Sequence, residues 1–128
     1  MNWYKYTQFQ LDLNLYIDFI SPDIIVGPAP EGFNESTIDV FVKNDVGGVL
    51  NLESWFDAIG EKSFMENHGI EYKFINIKFA PDIFQIKEAT RYIDKIIGSG
   101  KKIYIHCSAG ETRSPFMIIL YKTHLCQL

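Results

Sequence analysis

Short apolar segments alternate with helix-like segments along most of this chain, and this alternation limits its possible folds more than any other feature. Four apolar segments have the length and side-chain types of buried β-strands: 24–26, 49–52, 72–77 and 101–106. Helix-like patterns lie between them, at 34–42, 54–67 and 86–97. Alternation of this kind predicts an α/β fold in which a mainly parallel central sheet is flanked by helices.

Residues 1–20 are expected to extend this sheet as a strand or a hairpin. Between Leu11 and Phe19, apolar and polar side chains alternate with a period of two, which is typical of a strand with one buried face. A turn at 21–23 would lead into the first buried strand. With 128 residues the chain suits one domain with its own core, so we expect a single domain over 1–128.

Ten residues near the end of the chain carry the clearest chemical signal: His106-Cys107-Ser108-Ala109-Gly110-Glu111-Thr112-Arg113-Ser114-Pro115. They follow an apolar strand and precede a second apolar run, in the order strand, tight loop, helix. Such a loop presents unpaired backbone N–H groups and the positive end of a helix dipole, which together bind phosphate. We therefore predict that the loop from Cys107 to Arg113 curls around a tetrahedral anion, with Gly110 allowing the turn.

The side chains of this loop suit nucleophilic attack on phosphorus. The positive field should lower the pKa of the Cys107 thiol below about 8.5, the value of a free cysteine. The planar guanidinium of Arg113 can bind two phosphate oxygens at once. Ser114 could donate a hydrogen bond to the thiolate when it leaves, and His106 is expected to support the loop. The predicted intermediate is a phosphocysteine.

The motif His106-Cys107-x5-Arg113-Ser114 resembles the signature loop of the cysteine-dependent protein tyrosine phosphatase superfamily. The small size of the chain and Ser114-Pro115 are most similar to its dual-specificity branch. The resemblance implies a two-step mechanism without metal or other cofactor, and an aspartate on another loop as general acid. It also implies that the substrate is a phosphorylated protein. The group hydrolysed would be phosphotyrosine, and hydrolysis of phosphoserine and phosphothreonine is left open.

Asp82 is the candidate for that general acid. It follows the strand at 72–77, and in a parallel sheet this loop lies at the same ligand-binding edge as the Cys107 loop. A carboxylic acid there can protonate the leaving oxygen and then activate water. The structural alternative is that Asp82, which follows Pro81, serves only as a turn or helix-capping residue.

Charge and composition argue against several other partners. The net charge is −4, and the sequence has no stripe of Lys and Arg, which argues against nucleic acid as the main partner. No run of eighteen apolar residues or signal peptide is recognisable, so we expect a cytoplasmic protein that does not enter membranes. Cys107 and Cys126 are expected at opposite ends of one helix, too far apart for a disulfide. No Cys/His spacing indicates a metal site.

The end of the chain predicts self-association. The family that the loop resembles usually has two further helices, whereas this sequence stops at Leu128 and leaves the helix at 116–125 apolar almost all round. The N-terminal extension or a second copy must then cover it, and we expect a homodimer through this helix.

Two alternative functions stay open. One is a phosphate-binding module with little turnover. The other is a glucan phosphatase, because Asn14 to Gly27 and Cys107-x-Ala109-Gly110 are similar to that group.

Overall fold

The computed structural model describes residues 9, 11, 17–28, 35–52, 58–77 and 82–107. In this part of the chain strands and helices alternate as predicted. Their order is β1 (Asp18–Ser21), β2 (Ile24–Pro28), α1 (Glu35–Lys43), β3 (Val46–Asn51), α2 (Ala58–Asn67), β4 (Glu71–Phe74), α3 (Ile83–Gly98) and β5 (Lys102–Cys107).

The strands form one mainly parallel sheet in the order β1-β2-β5-β3-β4. β1 is antiparallel to β2 across the predicted turn, and β2, β5, β3 and β4 are parallel to their neighbours. The last described strand in the chain is therefore the central strand of the sheet. The predicted fold class is confirmed.

Strand register brings the ends of the parallel strands to one level. His106 of β5 is paired with Gly27 of β2 on one side and with Asn51 of β3 on the other. Asn51 is in turn paired with Phe74 of β4. Because the strands are parallel, their carboxyl ends form a single edge, and the residue after His106 emerges in its middle.

Helices cover both faces of the sheet, and β5 contributes alternate side chains to the two cores. On one face, Ile103 and Ile105 pack with the buried side of α3. On the other face, Tyr104 packs with residues of α1 and α2 and lies 5.1 Å from Phe41 between ring centroids. A strand buried on both faces in this way is the usual centre of a parallel sheet.

The N-terminal extension differs from its prediction. β1 begins only at Asp18, and Phe9 and Leu11 are helical, although the alternation predicted a strand at Leu11. Leu11 is 67% exposed, whereas Phe9 is buried and meets the ring of Phe19 edge-on. Packing of Phe9 into the core therefore outweighs the local alternation. The residues at 3–6, proposed as a second arm, lie outside the described part.

Several element boundaries also need correction. α1 ends at Lys43, one residue beyond the pattern at 34–42, because the Asn44 side chain donates to the carbonyl of Val40 and Asp45 takes a positive φ of 61°. Val42, the last apolar residue of that pattern, is 56% exposed. β4 ends at Phe74 rather than at residue 77, and α3 starts at Ile83 rather than at residue 86.

Candidate active site

The backbone of β5 carries Cys107 to the carboxyl edge of the sheet. Cys107 is the last residue of this central strand and is paired with Pro28 of β2. This is the position at which open parallel sheets bind their ligands. The rest of the proposed phosphate loop lies outside the described residues, so the roles of Ser108, Ala109, Gly110, Glu111, Thr112, Arg113 and Ser114 stay predictions.

His106 lies under this edge and is fully buried. Its ring is on the side of the sheet that faces α1 and α2, with its centroid 6.3 Å from that of Tyr104. Nε2 of His106 is 3.4 Å from Oε2 of Glu61, which α2 supplies. The supporting role predicted for His106 is compatible with this burial and stays a prediction.

A buried polar cluster surrounds His106, and we call Asn51, Glu61, Tyr72 and His106 the subsurface cluster. The Tyr72 hydroxyl donates to Oε2 of Glu61. Nδ2 of Asn51 donates to the Tyr72 hydroxyl at 2.6 Å and to the same carboxylate oxygen at 3.3 Å. Side chains of three neighbouring strands therefore meet at a single carboxylate from α2, beside the residue that precedes Cys107 in the chain.

Glu61, Tyr72 and Asn51 are not among the site residues that the sequence predicts. Asn51 stands between two leucines in a buried strand, and a polar residue there is the one local signal that could have been used. Glu61 stands in a helix with an ordinary mixture of charged residues. Its burial depends on how α2 packs against the sheet, which local patterns do not report.

Asp82 is positioned by the first turn of α3. It is the N-cap residue, and its Oδ1 accepts a hydrogen bond of 2.8 Å from the backbone N–H of Gln85. Oε1 of Gln85 accepts from the Asp82 N–H, and Nε2 of Gln85 donates to the carbonyl of Asn76 at 2.8 Å. The structural alternative considered for Asp82, a helix cap, is therefore present.

Asp82 is exposed. It follows β4, whose carboxyl end is two strands from that of β5, about 10 Å at the usual strand spacing. Its role as general acid stays a prediction, and the capping bond supplies a way of holding the carboxylate there.

A mainly parallel sheet with a cysteine at the carboxyl end of its central strand defines the class of tyrosine-phosphatase-like α/β proteins. Within that class, the family described as "Polymorphic toxin system, DSP-PTPase phosphatase" matches residues 30–125. The chain belongs to this family, and its superfamily is that of the cysteine-dependent phosphatases.

Two proteins of Arabidopsis thaliana are similar over most of the chain. Phosphatidylglycerophosphate phosphatase PTPMT2 is 29% identical over 122 residues, which are 92% of this chain and 52% of that protein. Phosphatidylglycerophosphate phosphatase PTPMT1 is 27% identical over 107 residues, covering 81% of this chain and 31% of that protein. The chain therefore spans about half the length of the first of these relatives and about a third of the second.

Solved structures show the same fold. Tk-PTP in its active form is 25% identical, with a TM-score of 0.70 over 88% of this chain and 75% of that one. The human tyrosine phosphatase-like serine/threonine/tyrosine-interacting protein is 20% identical, with a TM-score of 0.68 over 88% and 75%. Among the helices that the structure describes, none has the length and apolar character needed to cross a membrane.

Proposed function

We propose that this chain hydrolyses phosphotyrosine in proteins, and phosphoserine or phosphothreonine where the cleft admits them, through a phosphocysteine intermediate. The observation that carries the proposal is the placement of Cys107 at the carboxyl end of the central strand, six residues before Arg113. A cysteine at this edge stands where a parallel sheet binds its ligands.

The reaction proceeds in two displacements. Sγ of Cys107 attacks phosphorus and the bond to the ester oxygen breaks, while Asp82 donates a proton to that oxygen. Water then attacks the phosphocysteine and gives a proton to Asp82, and the thiolate leaves with the hydrogen bond of Ser114. The N–H groups of 108–113 and the guanidinium of Arg113 bind the charged oxygens throughout.

A phospholipid monoester is the second candidate substrate. The chain is similar over most of its length to two proteins named phosphatidylglycerophosphate phosphatases. In addition, Ile83 and Phe84 follow Asp82 at the same edge and are 56% and 77% exposed. Two exposed apolar side chains beside the proposed acid suit a substrate with an apolar portion.

The first test is hydrolysis of a chromogenic aryl phosphate in EDTA by the wild type, Cys107→Ser and Cys126→Ser. Turnover is expected to survive chelation and Cys126→Ser, and to disappear in Cys107→Ser because the nucleophile is removed. Turnover that persists in Cys107→Ser would contradict the thiolate mechanism. Wild-type protein that binds vanadate without turnover would instead support the phosphate-binding module.

The substrate class is tested by comparing kcat/KM for a phosphotyrosine peptide, dispersed phosphatidylglycerophosphate and a phosphoglucan. The highest value is expected for the phosphotyrosine peptide. A higher value for the lipid would leave the phosphocysteine chemistry intact and replace the proposed substrate by the second candidate, and a preference for the glucan would replace both.

A further inference from the structure

Glu61 is unusual among the charged residues of α2 because it is buried. Its exposed fraction is 7%, whereas the side chains of Lys62 and Glu66 on the same helix are 59% and 49% exposed. Burying a carboxylate is costly unless hydrogen-bond donors or an opposite charge compensate for the lost water. The hydrogen bonds and the charged contact of Glu61 therefore have to compensate for this cost.

Those contacts lie at the level of the candidate nucleophile. Asn51, which donates to Glu61, is the β3 partner of His106 in the sheet. His106 is itself 3.4 Å from the carboxylate and is covalently followed by Cys107. Tyr72 adds its hydroxyl from β4. One carboxylate thus joins the side chains of three strands just before the phosphate loop begins.

We propose that Glu61 is a positioning residue for Cys107 that acts through His106, an inference that rests on the proposed phosphatase function. Oε2 of Glu61 lies 3.4 Å from Nε2 of His106, so an N–H on that nitrogen would point at the carboxylate and the attraction would set the orientation of the ring. With the ring fixed, the backbone at 106–107 starts the phosphate loop in one geometry. Tyr72 and Asn51 keep the carboxylate in place.

The consequence for the reaction is a dependence of the chemical step on a residue that does not touch the substrate. Loss of alignment at a reacting centre by about 1 Å can lower a rate roughly a hundredfold. Glu61→Gln keeps the shape of the side chain and one acceptor oxygen, but it removes the negative charge on the oxygen that Asn51, Tyr72 and His106 share. The substitution should therefore loosen His106 without leaving a cavity.

The experiment compares Glu61→Gln with Glu66→Gln, the same substitution at an exposed position of the same helix. In a Cys126→Ala background, kcat and KM for an aryl phosphate are measured together with the rate constant of Cys107 alkylation by iodoacetamide. For Glu61→Gln we expect kcat to fall between roughly tenfold and a hundredfold with KM changed less than about threefold. We expect Glu66→Gln to match the parent.

Alkylation separates positioning from a loss of folded protein. The rate constant of the folded fraction should fall at least about threefold in Glu61→Gln, because N–H groups that favour the thiolate are no longer held around it. A merely structural role would change the amplitude and leave this rate constant unaltered. Glu61→Asp, which restores the charge, should recover part of the loss.

The two proposals fail in different ways. An active parent protein with unchanged kcat and alkylation rate in Glu61→Gln would overturn the role of Glu61 alone. A parent protein without turnover would contradict the phosphatase function, and the alkylation rates would still decide whether Glu61 positions Cys107.

Discussion

Asp82 combines a structural and a proposed chemical role in one side chain. As the N-cap of α3 it accepts the Gln85 amide, and in the proposed reaction it donates and accepts a proton at the leaving oxygen. Asparagine caps helices about as well as aspartate but cannot act as a general acid, whereas alanine does neither. These two substitutions therefore separate the roles.

Asp82→Asn should lower kcat by roughly a hundredfold to ten thousandfold if Asp82 is the general acid, with less than about 1 kcal/mol lost from the free energy of unfolding. Asp82→Ala should lose similar activity and about 1–2 kcal/mol of stability. Steady-state kinetics and urea unfolding measure the two effects. The exposed Asp39→Asn serves as control. Full activity in Asp82→Asn would leave only the capping role.

At the scale of elements, close packing of α3 on β3 depends on the absence of a side chain at Gly48. A Cβ at this position would lie 2.6 Å from Cδ1 of Ile96 and 3.0 Å from the Tyr92 hydroxyl oxygen. Ile96 is itself 1% exposed and has little free space to move into. A glycine in the middle of a strand thus allows a helix to approach the backbone.

Gly48→Ala should destabilise the protein by about 1–3 kcal/mol, because the added methyl group overpacks the interface between α3 and β3. Gly60→Ala is the matched comparison, since Gly60 is helical and nothing lies within 4 Å of its added Cβ. That substitution should stabilise by about 0.4–1 kcal/mol through helix propensity and a restricted unfolded chain. The urea unfolding midpoint is expected to decrease in Gly48→Ala and to increase in Gly60→Ala, relative to the wild type. Equal shifts in the two variants would contradict this packing.

On each face of the sheet, folding buries a tyrosine and thereby opposes its ionisation. Tyr92 of α3 belongs to one core and Tyr104 of β5 to the other. Burial raises the pKa of Tyr104 well above its ordinary value. Burial, followed by the charge of Glu71, does the same for the pKa of Tyr92. Both phenols therefore stay protonated in the folded protein at pH values where they ionise in the unfolded chain.

The stability of the fold should decrease above about pH 10, the ordinary pKa of tyrosine. Below that pH both states keep the protons and these groups have no effect. Above it the unfolded chain binds fewer protons than the folded one, so each tyrosine lowers the free energy of unfolding by up to about 1.4 kcal/mol per pH unit. The decrease continues until pH reaches the raised value of the folded state.

Urea unfolding of wild type and Tyr104→Phe between pH 8 and pH 11.5 measures this effect. The substituted protein should lose stability less steeply above pH 10, because one of the two phenols with a raised pKa is gone. Parallel curves for the two proteins would show that ionisation of Tyr104 does not oppose folding.

Local patterns in the sequence predict the α/β class and mark Cys107 as the candidate nucleophile. Both predictions depend only on patterns among residues that are close together in the sequence. The length of an apolar run favours a strand, the spacing of apolar residues favours a helix, and Cys107 and Arg113 stand six positions apart in the sequence. Such local patterns can be recognised without knowing which segments pack against them. For this reason the sequence predicts the fold class, which the structure confirms.

Contacts between residues that are distant in the sequence depend on how the whole chain packs. The insertion of β5 between β2 and β3 places His106 beside Asn51, and the packing of α2 brings Glu61 to the same point. The helical state of Phe9 likewise accompanies its burial in the core, whereas the alternation around it favours a strand. Strand order and helix packing depend on the free energy of the whole fold. The local sequence around Glu61 therefore does not show that its carboxylate is buried beside His106.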